Sequence, residues 1–309
     1  MRLLSFVLTL ALAGPLLAWH TAGHRVIAAI AYDSLNKKTR AKADDLIRGH
    51  PDYKMFTAGV AGSPKHIARW AFINASAWAD DIKGDDRFYD DTRRDPKPTP
   101  ALPGFLDMKR HTNWHYINIY FSPDGTPFPK TPTPNALTQL KVFLETLSQP
   151  GSAEAVYYLP WLLHVEGDIH QPMHCVSRYT KFLKNRNGSP TSDLGGNLVN
   201  VDGYTNLHSV WDGLLGSVSG DEEYIDWMAA RLSKETKPER VPVTDPGKWT
   251  DEGFELAKTE AYQFPADAGT AENPFRPGPE YSRNAVRVAH KRAALAGYRL
   301  AAILNDRLK

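Results

Sequence analysis

Cysteine is nearly absent from this 309-residue chain, which contains only Cys175. No internal disulfide can form, and bound metal is a common substitute for disulfides in exported proteins. Charge of one sign is not in excess either, because 37 Lys and Arg residues oppose 35 Asp and Glu residues. A global field that attracts polyanions is therefore excluded, and any affinity for a charged polymer must come from a local site.

An apolar run at the start of the chain is too short to cross a membrane. Arg2 precedes an apolar stretch over residues 3–13, and the segment ends at the small residue Ala18. This order is typical of a secretory signal peptide, whereas a membrane helix needs about 20 apolar residues. We therefore predict a signal peptide over residues 1–18 and one domain over residues 19–309. The protein is then secreted or periplasmic, without stable membrane association.

Strand-like alternation is scarce, and residues 114–121 come nearest to it. Apolar residues instead recur at three- and four-residue spacing, which predicts an all-α, mainly helical domain. The clearest helical segments are residues 24–35, 136–147, 153–164 and 281–308. Asn135 and Ser282 are the candidate N-caps of the second and the last of these. Polar stretches at 84–105, 122–134, 176–198 and 234–249 separate the predicted helices.

Three histidines and an aspartate are concentrated between positions 164 and 174. On a helix with about 100° per residue, Asp168 lies about 40° from His164, and His174 about 80° on the other side. His170 falls about 120° from His164, at the edge of this face or outside it. Pro172 should kink the helix here. The arithmetic favours His164, Asp168 and His174 as a shared ligand face, with His170 as a neighbour.

Further candidate ligands occur elsewhere in the chain. His208 and Asp212 are four residues apart and share a face if their segment is helical. The other candidates are Asp80, His115, His24 and, after removal of the signal peptide, the α-amine and carbonyl of Trp19. A single histidine is usually an ordinary core or surface residue, but imidazoles and carboxylates in matched spacings are what zinc binds without thiolates. Because one zinc takes about four ligands, this set predicts two or three metals.

Several sequence blocks resemble the zinc-dependent single-strand-specific nucleases of fungi, plants and bacteria. The blocks follow that family's order from residue 19 to residue 212. They are Trp19 to His24, Ser76-Ala77-Trp78-Ala79-Asp80, His115-Tyr116, Gly167-Asp168-Ile169-His170-Gln171-Pro172-Met173-His174, Gly195-Gly196-Asn197 and Asn206-Leu207-His208-Ser209-Val210-Trp211-Asp212.

The resemblance implies a helical domain that holds three Zn2+ ions. One buried zinc would be bound by Asp80, His115, His164 and Asp168. A second would be bound by the amine and carbonyl of Trp19, by His24 and by Asp168 as a bridging ligand. A third, more exposed zinc would be bound by His174, His208 and Asp212.

The resemblance also implies an endonuclease that cuts single-stranded DNA and RNA to 5′-phosphorylated products and removes phosphate from 3′-nucleotides. Asp80 would orient the attacking water, and Lys83 would meet the phosphate. Tyr116 would stack on a base. Asn118 stands where the family often has an Asp that contacts the base, which leaves base preference open. We expect a monomer.

Two other functions fit the same ligands. The bacterial zinc phospholipases C have a similar set of three zinc ions, but they would favour an apolar approach surface. The polar stretches here carry Lys181, Lys184 and Arg186, which suit a nucleic-acid backbone as well as plain solubility. A non-catalytic zinc protein is the other alternative. It is disfavoured because structural zinc sites are closed, whereas the inferred third site has only three protein ligands.

Overall fold

The computed structural model describes residues 19–216, 221–236 and 244–308. Helices dominate these residues, which confirms the all-α prediction. They are α1 (Thr21–Asp33), α2 (Lys37–Gly49), α3 (Tyr53–Phe56), α4 (Pro64–Ala75), α5 (Trp78–Asp81), α6 (Ala136–Ser148), α7 (Ala155–Asp168), α8 (Leu207–Asp212), α9 (Glu222–Glu235), α10 (Pro246–Leu256) and α11 (Pro279–Arg307). The predicted signal peptide lies outside the described residues and stays a prediction.

Four of these helices coincide with the segments whose periodicity predicts them: α1, α6, α7 and α11. The Asn135 cap of α6 is confirmed, because its side chain accepts a hydrogen bond from the Thr138 amide in a capping box. The Ser282 cap is wrong. Helix α11 begins earlier, at Pro279, whose fixed φ suits the first helical position. The Ser282 hydroxyl lies inside the first turn and donates to the Gly278 carbonyl.

A three-stranded sheet of order β1-β2-β3 is formed by β1 (Tyr120–Phe121), β2 (Ser177–Lys184) and β3 (Pro190–Ser192). Strand β1 runs parallel to β2, with Tyr120 opposite Ser177, and β3 runs antiparallel to β2. Of the strand-like segment over residues 114–121, only the last two residues therefore form a strand. The polar stretch at 176–198, which separates predicted helices, contains the β2–β3 hairpin. The pairing of β2 with β3 shifts register between Thr180 and Lys184. Such an irregularity interrupts the alternation of polar and apolar residues by which a strand is recognised in a sequence.

Helix α1 is the centre of the core, with both its apolar and its small residues buried. It packs against α4, α7, α9 and α11. The approach of α11 is so close that a Cβ atom on Gly297 would lie 2.6 Å from the Ile30 side chain, which only glycine permits. Among the described residues, none of the helices is long and apolar enough to cross a membrane. This packing fixes the first turns of α1 beside α7.

Candidate metal centre

Helix α7 provides two of the candidate ligands on one face. His164 and Asp168 are one turn apart and fully buried. The Nδ1 atom of His164 lies 2.7 Å from the Ser76 carbonyl oxygen, to which it donates. This hydrogen bond fixes the ring tautomer and turns the lone pair of Nε2 towards Asp168, whose Oδ2 is 3.3 Å away.

His115 and Asp80 complete a first group of four side chains around this point. The Nδ1 atom of His115 lies 3.0 Å from His164 Nε2 and 3.1 Å from Asp168 Oδ2. Asp80, on α5, places Oδ1 at 3.6 Å from His164 Nε2 and 3.7 Å from His115 Nδ1. The structure thus brings together Asp80, His115, His164 and Asp168, from three separate parts of the chain.

His24 faces the other oxygen of Asp168. Its Nε2 lies 3.3 Å from Asp168 Oδ1, and its ring stacks on that of His164 with centroids 3.8 Å apart. Helix α7 allows this approach because a Cβ on Gly167 would lie only 3.0 Å from His24 Nδ1. Trp19 is also buried here, and its indole N–H donates to the Gly167 carbonyl. The Oδ2 atom of Asp168 therefore faces the first group, and its Oδ1 atom faces His24.

A further group is formed by His174, His208 and Asp212. Each imidazole directs Nδ1 at a backbone carbonyl, His174 to His115 at 2.6 Å and His208 to Gly195 at 2.7 Å. Their Nε2 atoms consequently converge to 3.1 Å. Asp212 places its carboxylate oxygens 3.9 Å from His174 Nε2 and 3.5 Å from His208 Nε2.

The predicted single face of His164, Asp168 and His174 is wrong in its geometry. Helix α7 ends at Asp168, and Pro172 begins a 3-10 turn that ends at Cys175. This turn carries His174 to the group with His208, although its Nδ1 remains 3.8 Å from Asp168 Oδ1.

His170 and Cys175 lie near the three groups but belong to none of them. His170, predicted as a neighbour, is buried with Nδ1 against the Glu166 carbonyl and Nε2 against Arg299. Cys175 is fully buried and donates to the Ile169 carbonyl, and burial raises the pKa of its thiol to about 12. A thiolate ligand is therefore not available here.

The protonation states of His24 and His115 suit a bound cation, because metal ligands must be neutral imidazoles or carboxylates. Burial, and then His164, lower the pKa of His24 to about 4. Burial and Lys83 lower the pKa of His115 to about 3. For His164, burial opposes the positive charge, but the nearby aspartates outweigh it and raise the pKa.

The aspartates divide into two kinds. Burial opposes the ionisation of Asp80, yet Lys83 and the histidines outweigh it and bring its pKa to about 2. The histidines likewise hold the pKa of Asp168 well below its usual value against the effect of burial. Burial raises the pKa of Asp212 well above its ordinary value, although Gln171 donates to its Oδ1 at 2.6 Å. A cation would replace the proton on Asp212.

The described residues therefore fit a metal. Both ring nitrogens of His24 and one oxygen each of Asp80 and Asp168 are buried without a hydrogen-bond partner in the described part of the chain. The imidazole nitrogens meet at 3.0 and 3.1 Å. This is close to the ligand separation of about 3.3 Å in a tetrahedral site with Zn–N bonds of about 2.0–2.1 Å.

Three further predicted residues are within three positions of a candidate ligand in the chain. Lys83 is largely buried, and its Nζ lies 2.6 Å from Asp80 Oδ1. Tyr116 is 37% exposed, directly after His115 in the chain. Asn118 is half-buried, and its carbonyl oxygen accepts a hydrogen bond from Thr131.

The residues that orient the His208 imidazole were not predicted from the sequence. The buried carboxylate of Asp193 accepts hydrogen bonds from the backbone amides of Arg178 and Gly196 and from the hydroxyl of Tyr262. These hydrogen bonds fix the turn that contains Gly195, and the Gly195 carbonyl accepts a hydrogen bond from His208 Nδ1. The signal in the sequence is slight, since Asp193 merely lies two residues before the Gly-Gly pair, while Tyr262 is far away in the chain.

A protein-family model described as S1/P1 Nuclease matches residues 19–309. The chain belongs to the S1/P1 nuclease family. It is a nuclease, and therefore a hydrolase. The match covers the C-terminal third of the chain as well, beyond residue 212, where the resembling sequence blocks end.

Curated relatives agree with the family. Endonuclease 3 of Arabidopsis thaliana is 26% identical over 99% of this chain and 94% of its own length. Nuclease S1 of Aspergillus oryzae is 24% identical over 96% of this chain and 94% of its own. The match to endonuclease 2 of Arabidopsis thaliana, at 28% identity, spans 55% of this chain and 58% of that protein.

Proposed function

We propose that this nuclease binds three zinc ions. The first would be held by Asp80, His115, His164 and Asp168, and the second by His24, Asp168 and the amine and carbonyl of Trp19. The third would be held by His174, His208 and Asp212. The observation that carries this proposal is the convergence of buried imidazole nitrogens on the two oxygens of Asp168. Zinc is the metal that imidazole and carboxylate ligands favour where thiolates are missing.

We further propose that the enzyme hydrolyses phosphodiester bonds of single-stranded DNA and RNA to 5′-phosphorylated products, and removes phosphate from 3′-nucleotides. Bound zinc would supply Lewis acidity and would lower the pKa of a bound water molecule towards about 7, so that hydroxide is available at neutral pH. Lys83 supplies a positive charge near Asp80, where it would attract a substrate phosphate as a point charge. Asp80 would orient the attacking water through the same carboxylate.

Selectivity for single strands follows from the depth of the site. The histidines of the first group are at most 2% exposed, so a phosphate reaches them only if its base leaves the helical stack. Tyr116 is exposed beside His115 and would receive that base by stacking, which is tolerant of sequence. Asn118 would contact the base edge.

The location of the protein and the role of Trp19 are linked in this proposal. A signal peptide over residues 1–18 would direct the chain to a secreted or periplasmic site, and its removal would free the Trp19 amine. Trp19 is already buried, and its indole N–H donates to the carbonyl of Gly167, the residue before Asp168. We expect the processed enzyme to act as a monomer.

One set of measurements tests these proposals. The N-terminal residue of the exported protein is determined by mass spectrometry, and zinc per chain is measured on the same sample. Cleavage of single-stranded DNA, RNA, duplex DNA, a 3′-nucleotide and phosphatidylcholine is then assayed with and without a chelator. We expect a Trp19 start, about three zinc ions, and chelator-sensitive release of 5′-phosphorylated products from single strands. Lipid cleavage without nucleic-acid cleavage would support a phospholipase instead, and fewer than two zinc ions would refute the ligand assignment.

Replacing Lys83 tests its proposed contact with phosphate. Lys83→Met keeps the length of the side chain but removes its charge, and we expect kcat/KM on single-stranded DNA to fall about 10- to 100-fold, which corresponds to about 1.4–2.8 kcal/mol. Lys83→Arg should recover part of this loss because it restores the charge. Equal kcat/KM for Lys83→Met and the wild type would remove Lys83 from the catalytic residues.

A further inference from the structure

Three aromatic rings form a cluster on the surface near strands β1 and β2. The ring of Tyr120 lies 5.3 Å from that of Tyr179 and 6.1 Å from that of Phe128, and the last two are 6.3 Å apart. Phe128 is 47% exposed, and the two tyrosines are half-buried. We call Tyr120, Phe128 and Tyr179 the aromatic cluster. Neighbouring apolar side chains that remain accessible at a surface often mark a binding site.

The loop that carries Phe128 is held at both ends. On one side, the Asp124 carboxylate accepts hydrogen bonds from Ser122, from Thr126 and from the backbone amide of Lys181. On the other side, the hydroxyl of Thr131 donates to the Asn118 carbonyl. Phe128 is therefore presented by a fixed loop, and its exposure is a property of the fold.

The chain leads from the exposed residue Tyr116 directly to the aromatic cluster. Tyr116 lies four residues before Tyr120, the first residue of β1, so their Cα atoms are at most about 14 Å apart. The backbone on this path is also fixed, because the Ile117 amide donates to the His174 carbonyl.

The charges around the cluster favour a polyanion. The loop over residues 122–134 and the outer half of β2 with its turn, residues 181–186, carry one acidic side chain, Asp124, which is engaged in the hydrogen bonds above. Against it stand four basic side chains, all exposed: Lys130, Lys181, Lys184 and Arg186.

We infer that the aromatic cluster binds a second base of a single-stranded substrate whose first base lies at Tyr116. This inference rests on the proposed function. Exposed aromatic rings beside basic side chains are the common means of holding single-stranded nucleic acid, because each base offers a face for stacking. The strand would run from the phosphate near Lys83, past Tyr116, to Phe128.

The test uses the zinc-loaded enzyme and phosphorothioate pentanucleotides that carry 2-aminopurine at one position at a time. Stacking of 2-aminopurine on an aromatic ring quenches its fluorescence. We expect the wild type to quench a position beyond the first bound base, and Phe128→Ala to lose this quenching. The KM for a single-stranded octanucleotide, relative to that for a 3′-mononucleotide, should rise about tenfold, as the loss of one stacked base predicts. Phe128→Leu, which keeps an apolar side chain in the loop, should lose the quenching as well.

Phe182→Ala is the matched control, because Phe182 is 44% exposed on β2, the strand that carries Tyr179, and its ring contacts Lys181 outside the cluster. The Phe182→Ala variant should quench the 2-aminopurine fluorescence as the wild type does, and its KM for the octanucleotide should stay within about twofold of the wild-type value. Wild-type quenching and KM in both Phe128 variants would overturn the inference and leave the rings as packing for the loop. A wild type that cleaves no single-stranded substrate would overturn the proposed function, which is a separate outcome.

Discussion

Asp168→Asn is expected to reduce nuclease activity more than any other conservative substitution in this chain. The carboxylate of Asp168 lies within 3.3 Å of the imidazole nitrogens of His24, His115 and His164, and it would serve two metals in the proposed arrangement. An amide is neutral and presents only one oxygen. Since loss of a residue that merely supports a metal ligand costs about 10- to 100-fold, loss of a shared ligand should exceed about 100-fold in kcat/KM. Bound zinc should fall by at least one ion per chain.

Asp202→Asn is a suitable control for this substitution, because Asp202 pairs with Arg276 at the surface and is 61% exposed. It should leave zinc content and kcat/KM unchanged. Thermal unfolding with and without chelator adds a second measurement, since metal that binds only the folded state raises the midpoint. The shift caused by the chelator should be smaller in Asp168→Asn than in the control. A variant that retains all of its zinc and more than a tenth of its activity would contradict the bridging role.

Glu252→Gln is expected to cause a large loss of stability although it lies outside the metal groups. Glu252, on α10, accepts hydrogen bonds from the buried guanidinium groups of Arg292 and Arg299, at 2.6 and 2.7 Å. The same arginines donate to the carbonyl oxygen and Nε2 of His170, just beyond the end of α7. Removing the carboxylate takes away the ion-pair partner of two buried guanidinium groups, which costs about 3 kcal/mol, at the lower end for buried pairs because Glu252 is 36% exposed.

Urea unfolding at fixed zinc concentration measures this loss, with Glu255→Gln as control. Glu255 pairs with Lys258 on the surface of the same part of the chain and is 62% exposed, so its substitution should cost less than about 1 kcal/mol. Burial opposes ionisation of Glu252, but Arg299 and Arg292 lower its pKa below the ordinary 4.5. The stabilisation is therefore present above pH 4.5 and is lost as the pH falls through the lowered pKa. Equal stability of the two variants at neutral pH would contradict the prediction.

The sequence predicts those parts of the site that depend on local periodicity. His164 and Asp168, like His208 and Asp212, are four residues apart, so that any helix places each pair on one face. The helices themselves could be predicted because their buried residues recur at helical spacing, as in α6. Family-specific blocks extended this to ligands far apart in the chain, such as Asp80 and His115, which periodicity cannot bring together.

Other features could not be predicted, for identifiable reasons. Pro172 indicates that a helix is disturbed, but it does not say in which direction the chain leaves, and so the placement of His174 by helix angles failed. The β2–β3 hairpin is polar and irregular and lacks the alternation by which strands are recognised. Contacts such as that of Asp193 with Tyr262 join residues from distant parts of the chain and depend on tertiary packing alone.

The chain is convenient for site-specific labelling because its single cysteine, Cys175, is buried. Its thiol is fully buried, and a pKa of about 12 leaves it protonated and unreactive towards maleimides. A cysteine introduced by Asn187→Cys, in the exposed turn between β2 and β3, would therefore be the reactive thiol without prior removal of Cys175. Strand β2 extends roughly 25 Å from its first residue to this turn, at about 3.3 Å per residue. A fluorophore attached there would report the arrival of a dye-labelled oligonucleotide by energy transfer.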